Sequence, residues 1–193
     1  MDDKSLLWRS RAAALVEASL SRPRLVHSRE VARLASELCD RFHIEEEKGY
    51  IAGMTHDLAR ELDLAEILLL CEGDGLPLSE EERANPLLLH GRAAAVLLAK
   101  DTGYADPDVL QAVRDHVTGR SSMGPLSRIV FAADYLEPTR EFVSPEFRRR
   151  TLGLSLNEMV LAVLERKIRA VRAESREVAA EARALQEELR AHA

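Results

Sequence analysis

Apolar residues recur at intervals of three and four along almost the whole chain, and this spacing constrains the fold more than any other feature. The segment that contains Val31, Leu34, Ala35 and Leu38 is one example. Strand-like alternation is hard to find. Aromatic residues make up only 4% of the chain, so the core must consist mainly of Leu, Val, Ile and Ala, which favours helices. The sequence therefore predicts an all-α fold, and 193 residues suit one domain or one domain with an appendage.

Proline and capping residues divide this pattern into separate helices. Pro23 suits the first turn of a helix that contains His27. Ser79 and Glu82 have the spacing of a capping box. We expect further helices over residues 45–60, 62–71 and 126–136.

The C-terminal segment is predicted to be helical from about Leu152 almost to its end. Spacings of three and four mark the a/d positions of four heptads. These positions are all apolar except Ser175, and they are Leu161, Leu164, Ile168, Val171, Ser175, Val178, Ala182, Leu185 and Leu189. We therefore expect a long C-terminal helix. Residues 1–165 would form the main domain, with a motif core over about 20–140, and 166–193 a helical extension. The heptad seam either forms a homodimer or packs back on its own domain.

Several ionisable residues fall on or beside the apolar helical faces. Asp134 lies inside the apolar run 129–135, where an acid is costly to bury unless a cation neutralises it. His56 and Asp57 are adjacent, so they point about 100 degrees apart on a helix and can flank a metal beside it. A histidine on an apolar face is, taken singly, more often a hydrogen-bonded core residue. Together with His27, His90 and His116, these residues predict a metal site.

Charge and cysteine content limit the function classes. A formal net charge of -6 argues against a protein that binds a nucleic-acid backbone, but not against a small anionic substrate near a metal. Cys39 and Cys71 lack CxxC spacing and are interpreted as free thiols of a reduced cytosolic protein. No apolar run approaches the roughly 20 residues of a membrane span, and the N-terminal segment lacks the apolar region of a signal peptide. We expect a cytoplasmic protein with no membrane partner.

Four short segments resemble a known family. The order of His27, His56-Asp57 and Asp134 resembles the HD superfamily of metal-dependent phosphohydrolases, and the additional His90 and His116 resemble its two-metal subset. More specifically, the chain resembles the bacterial YqeK-type HD proteins over roughly residues 20–165. The matching segments are 56–60 (HDLAR), 85–91 (NPLLLHG), 116–120 (HVTGR) and 133–140 (ADYLEPTR).

The resemblance implies an all-helical HD-domain bundle that hydrolyses diadenosine tetraphosphate symmetrically to two ADP. It implies that His27, His56, Asp57 and Asp134 hold one metal and that Asp57 bridges to a second metal held by His90 and His116. Imidazole and carboxylate ligands suit iron, manganese or zinc, and the resemblance points to iron. Arg60 departs from the family pattern, which has Lys there, and the segment after about residue 170 matches no family motif.

The substrate of such a site carries several negatively charged phosphates, so cationic groups must bind them. Arg60, Arg120 and Arg140 each lie a few residues from a predicted ligand and could bind phosphate with two donors at once. Gly119 permits a tight loop near phosphate, and Thr118 could donate its hydroxyl. Asp57 and Arg60 are the predicted catalytic residues. Attack on phosphorus would come from a hydroxide between two metals about 3.5–4 Å apart.

Three alternatives remain open. The same chemistry could act on another nucleotide, since deoxynucleotides and nucleoside monophosphates also present phosphate to metals. A diiron oxygenase is a second alternative, although the arginines favour hydrolysis. A non-catalytic nucleotide-sensing scaffold is the third, although a scaffold has no need for a complete ligand set.

Overall fold

The computed structural model describes residues 3–191, with side chains from residue 6 onward. Eleven α-helices and one 3₁₀ turn follow one another in this part of the chain: α1 Asp3–Ser19, α2 Arg22–Arg41, α3 Glu46–Thr55, α4 Leu64–Glu72, α5 Glu80–Ala84, the 3₁₀ turn Pro86–Leu89, α6 His90–Thr102, α7 Pro107–Asp115, α8 Pro125–Leu136, α9 Pro145–Leu152, α10 Leu156–Ala173 and α11 Ala180–Ala191. Residues 3–191 contain no strand, so the all-α prediction is confirmed. The predicted capping box is also present, since Ser79 Oγ accepts from Glu82 N–H at 3.1 Å.

Helices α2 and α3 form the closest packed pair, and glycine permits this approach. A Cβ atom added to Gly53 would lie 2.8 Å from Ala32 Cα, and one added to Gly49 would lie 2.7 Å from the carbonyl oxygen of Ala35. Both distances are shorter than real Cβ contacts. The two helices therefore pack backbone against backbone, which brings His27 of α2 close to His56 at the end of α3.

Helix α8 lies in the middle of the core. Its residues 129–133 are completely buried, and the helix contacts α2, α3, α7 and α10. Asp134 continues this helix and is only partly buried. The central position of α8 therefore holds Asp134 against the helices that carry the histidines.

Helix α3 ends earlier than the predicted range 45–60. It stops at Thr55, and residues 56–60 form turns in which Leu58 N–H bonds to Thr55 O and Arg60 N–H to Asp57 O. His56 and Asp57 thus lie at a helix end, where the backbone leaves the helical path. This position lets both side chains point into the same space.

The continuous C-terminal helix predicted from the heptads is wrong. Helix α10 ends at Ala173 and α11 starts only at Ala180. Ser175 has φ +55°, with Ser175 N–H bonded to Arg172 O and Arg176 N–H to Val171 O, which is a Schellman ending. The heptad residues Val178, Ala182, Leu185 and Leu189 are buried as α11 folds back on α10. The seam therefore packs on its own chain.

None of the helices within residues 3–191 has both the length and the apolar character that a membrane span requires.

Candidate metal centre

Six predicted ligands from five separate segments converge in the structure. His27 comes from α2, His56 and Asp57 from the end of α3, His90 from the first position of α6, His116 from the end of α7 and Asp134 from α8. All are buried except Asp134, which is partly buried. The chain thus places four imidazoles and two carboxylates in one interior cluster.

Asp57 lies at the centre of this cluster. Its Oδ1 is 3.2 Å from His90 Nε2 and 3.7 Å from His116 Nε2, while its Oδ2 is 3.8 Å from His27 Nε2 and 3.7 Å from His56 Nε2. Each carboxylate oxygen therefore faces one pair of histidines. Two groups with metal-ligand spacing share Asp57: His27, His56 and Asp57, and Asp57, His90 and His116.

Asp134 joins the first of these groups. Its Oδ1 lies 3.2 Å from His27 Nε2 and 3.6 Å from His56 Nε2. The division into one half with His27, His56 and Asp134 and another with His90 and His116 matches the arrangement that the family resemblance implied.

The other nitrogen of each ring is bound to an acceptor, and this fixes the tautomer. The Nδ1 atoms of His56, His90 and His116 lie 2.7, 2.7 and 2.8 Å from the carbonyl oxygens three residues earlier. His27 Nδ1 lies 3.0 Å from Glu137 Oε1. A carbonyl or carboxylate oxygen only accepts, so each Nδ1 must donate its N–H. In its neutral form each ring therefore presents the lone pair of Nε2 to the cluster.

These lone pairs approach one another closely. His27 Nε2 is 3.2 Å from His56 Nε2, and His90 Nε2 is 3.0 Å from His116 Nε2. Two lone pairs beside a carboxylate repel one another unless a cation or a proton lies between them. Imidazole and carboxylate donors suit divalent transition metals, so the residues present fit divalent metal ions.

The charge states agree with this interpretation. Burial opposes the ionisation of Asp57, but His56, His116 and His90 outweigh it and hold the pKa of the carboxyl well below its usual range. Burial likewise opposes the ionisation of Asp134, but the neighbouring His27, His56 and Arg140 hold the pKa of this carboxyl well below its usual range. Burial lowers the pKa of His116 to about 4, so its ring is neutral at neutral pH. Anionic carboxylates and a neutral imidazole are the protonation states that bind a metal.

Two residues that the sequence analysis missed contact the cluster. Glu137 is fully buried and accepts from His27 and Thr139. Arg24 donates from Nη1 to Asp57 Oδ2 at 2.9 Å. Glu137 belongs to the segment ADYLEPTR, and Arg24 lies three residues before His27 on the same helix face, so both left a signal in the sequence.

The predicted phosphate-binding arginines occupy different surroundings. Arg140 donates to Asp134 Oδ1 and lies 3.1 Å from His27 Nε2, so it is part of the cluster. Arg60 follows Asp57 in the turn, and its guanidinium forms no hydrogen bond with the described residues. Arg120 donates to the buried Asp115 at 2.9 Å. The structure therefore brings Arg140 to the ligands, whereas Arg120 is engaged elsewhere.

Gly119 and Thr118 lie in the turn after His116. Gly119 has φ +69°, and a Cβ atom there would lie 2.6 Å from Leu185 Cδ2. Its close neighbour is therefore helix α11. Thr118 donates its hydroxyl to Gly119 O at 3.1 Å. Substrate binding by either residue stays a prediction.

Comparison with known proteins identifies the protein family to which this chain belongs. Residues 24–139 match the family model described as HD domain, a range that begins just before His27 and ends just after Glu137. The chain therefore belongs to the HD domain family, and the recognition made from the four sequence segments is confirmed.

Individual relatives resemble most of the chain. A symmetrical bis(5'-nucleosyl)-tetraphosphatase from Bacillus subtilis is 31% identical over 153 residues, which cover 79% of this chain and 82% of the relative. A protein of the same name from Halalkalibacterium halodurans is 33% identical over 158 residues, which cover 81% and 83%. A crystal structure from Clostridium acetobutylicum, described as a predicted HD superfamily hydrolase involved in NAD metabolism, has a TM-score of 0.90 and 31% identity. It covers 95% of this chain and 97% of that one.

Proposed function

We propose that this chain is a metal-dependent phosphoanhydride hydrolase that cleaves diadenosine tetraphosphate symmetrically to two ADP. The observation that supports it best is the position of Asp57 between two pairs of histidines whose Nε2 lone pairs converge. The relatives from Bacillus and Halalkalibacterium support the substrate, because their shared name describes this reaction.

The proposed metals occupy the two halves of the cluster. His27, His56, Asp57 and Asp134 would hold one ion, and Asp57, His90 and His116 the other. Two such ions supply positive charge to phosphate oxygens and lower the pKa of water towards neutrality. We propose iron, with manganese and zinc as alternatives, because the resemblance to the YqeK-type proteins points to iron.

The chain's own cations orient the substrate at the edge of the cluster. The side chains of Arg24 and Arg140 are 31% and 26% exposed, while His56 is fully buried. The two guanidiniums therefore border the open side, and His56 lies on the closed side. Guanidinium binds phosphate oxygens through paired N–H donors, so Arg24 and Arg140 would hold the phosphates against the cluster. Arg60, Thr118, Gly119 and Arg120 remain proposed substrate contacts.

Product analysis tests the proposal. Metal-loaded protein is incubated with diadenosine tetraphosphate, and the products are resolved by chromatography. We expect two ADP and neither ATP nor AMP. Formation of ATP with AMP would contradict symmetrical cleavage, and absence of any nucleotide product would contradict the function. Asp57→Asn should abolish turnover because the amide removes the charge shared by both halves.

The same experiment separates the alternatives. A strictly anaerobic reaction proceeds if the protein is a hydrolase and stops if it is a diiron oxygenase. A panel of other nucleotides is needed because the structural relative from Clostridium is associated with NAD metabolism. A sensing scaffold would bind nucleotides from this panel without releasing any product.

The division into a domain over 1–165 and an extension over 166–193, the cytoplasmic location and the homodimer remain proposals. Residue 165 lies inside α10, so the structure offers no break at that position. Sedimentation of the full chain and of a chain ending near Ala170 would show whether the extension changes the oligomeric state.

A further inference from the structure

A cavity of about 360 Å³ lies between α10, α11 and the segments that precede His90 and follow His116. Its wall is mainly aliphatic and includes Leu88, Leu164, Ile168, Val171, Val178 and Ala182. Cavities of this size, with apolar walls and a few polar groups, are typical of small-molecule sites. Thr118, predicted from the sequence as a substrate contact, also lines this cavity.

The cavity adjoins the candidate metal centre through two segments. Leu88 lies two residues before His90, and Val117 directly follows His116. Lys167, which also lines the cavity, donates from Nζ to the carbonyl oxygens of His116 at 3.3 Å and Val117 at 3.0 Å. A ligand in the cavity would therefore lie beside the backbone that positions two of the histidines.

One N–H donor of the Lys167 ammonium group remains available for a ligand. The ammonium group carries three N–H donors, two of which bond to carbonyls, and the third has no acceptor among the described residues. Its Nζ also lies 4.3 Å from the centre of the Phe131 ring, one helical turn before Asp134. The free donor is suited to an anionic oxygen close to the cluster.

Polar groups at the outer rim suit the other end of a nucleotide. Asn85 lines the cavity and its side-chain amide forms no hydrogen bond with the described residues. Such an amide can pair with two atoms of an adenine edge at once. The exposed carboxylates of Glu81 and Glu177 are at the same rim and would repel phosphate. Arg176 lines the same rim and pairs with Glu174, so the rim carries charges of both signs. The direction of a nucleotide follows instead from Lys167, whose bond to the carbonyl oxygen of His116 places its ammonium group on the side of the metal centre, so the phosphates face Lys167 and the base faces outward.

We propose that this cavity binds the base and ribose of one nucleoside of the substrate, while Lys167 binds an adjoining phosphate oxygen. The proposal rests on the proposed function for the identity of the substrate. It gives the C-terminal segment a role, because α10, the turn that follows it and the start of α11 together supply most of the wall.

Filling the cavity tests the nucleoside part. Val171 is partly buried in the wall, and Ala170 beside it is exposed and does not line the cavity. The probes are ADP and inorganic pyrophosphate, measured by calorimetry on metal-loaded protein. Pyrophosphate carries two phosphates and no nucleoside. We expect Val171→Trp to weaken ADP binding about tenfold or more and to leave pyrophosphate binding within about twofold, while Ala170→Trp changes neither.

A second wall position provides an independent test in case Val171→Trp does not fold. Ala179 also lines the cavity and is partly buried, so Ala179→Leu should weaken ADP selectively as well. Circular dichroism and thermal melting show which variants fold. Unchanged ADP affinity in a folded variant, or equal loss of ADP and pyrophosphate, would overturn the nucleoside site.

The phosphate part is tested separately. Lys167→Met should weaken ADP and pyrophosphate by a similar factor, because both offer the same phosphate oxygens. Unchanged pyrophosphate binding would overturn this role. The proposed function would be contradicted by a different result, namely that the unmodified chain does not cleave diadenosine tetraphosphate. In that case the comparison of ADP binding with pyrophosphate binding would still test the cavity.

Discussion

Glu137→Gln removes a single negative charge from behind the candidate metal centre while keeping the shape of the side chain. In the structure Glu137 Oε1 faces His27 Nδ1 at 3.0 Å and Thr139 Oγ1 at 2.6 Å, and Oε2 accepts from Thr139 N–H at 2.6 Å. Burial opposes ionisation of this carboxyl, but the bonds from His27 and Thr139 outweigh it and lower its pKa. The wild-type residue is therefore an anion that orients the ring of His27.

Glutamine loses one of these contacts in either orientation of its amide. If the NH₂ group takes the place of Oε1, it meets the N–H of His27, and if it takes the place of Oε2, it meets the N–H of Thr139. A charge-assisted hydrogen bond contributes about 1.5–3 kcal/mol, and each 1.4 kcal/mol corresponds to about tenfold in affinity. We expect metal affinity to fall about 10–100-fold, the range typical for such orienting carboxylates.

Competitive metal titration measures this change, and melting of the metal-free protein reports any general loss of stability. Glu141→Gln is the matched control, because Glu141 lies four residues away and is exposed. The control should bind metal like the unmodified chain. The reasoning is refuted if Glu137→Gln binds metal within about threefold of the control, since His27 would then need no anionic partner.

Three further predictions concern the fold. Gly53→Ala should lower the free energy of unfolding by about 1–3 kcal/mol, measured by urea denaturation, because the new Cβ would lie 2.8 Å from Ala32 Cα; an unchanged midpoint would mean that α2 and α3 pack less closely. Ser175→Gly should raise stability by about 0.5–1 kcal/mol in thermal melting, because Ser175 has φ +55°. A continuous helix would instead lose stability on this change. Burial raises the pKa of Cys39 to about 12 and that of Cys71 to about 11, so thiolate is disfavoured and a thiol reagent at pH 8 should react with both only after denaturation; rapid reaction with native protein would contradict their burial.

The helices were predictable from apolar spacing, but not all of their ends were, and α3 and α10 both stop before the predicted residue. Helices α2 and α10 both end in Schellman motifs, in which His43 and Ser175 adopt φ +58° and +55°. Glycine usually marks such an ending, and neither position has it. The apolar spacing continues through Ser175, so the sequence looks like one long helix. The tertiary packing of α11 against α10 favours the turn.

The six converging residues of the site were predictable because their positions matched a family pattern. The residues that support them were harder to foresee. Arg24 and Lys167 are ordinary surface residues by type, and their roles depend on contacts with Asp57 and with the carbonyls of His116 and Val117. Conversely, Arg120 was predicted to bind phosphate because it lies four residues after His116 in the sequence. In the structure it pairs with Asp115 instead. Distance along the chain does not determine where a flexible guanidinium points.

The way the four rings are oriented explains why Glu137 matters for only one of them. His56, His90 and His116 all lie at helix ends or next to the 3₁₀ turn, where a carbonyl three residues earlier can accept from Nδ1. Each of these rings is fixed by its own segment of backbone. His27 lies inside α2, where the carbonyls are already used by the helix, so its Nδ1 needs a partner from elsewhere. That partner, Glu137, is 110 residues away in sequence. The orientation of His27 therefore depends on the packing of α8 against α2. The other three rings keep their orientation as long as their local turns form.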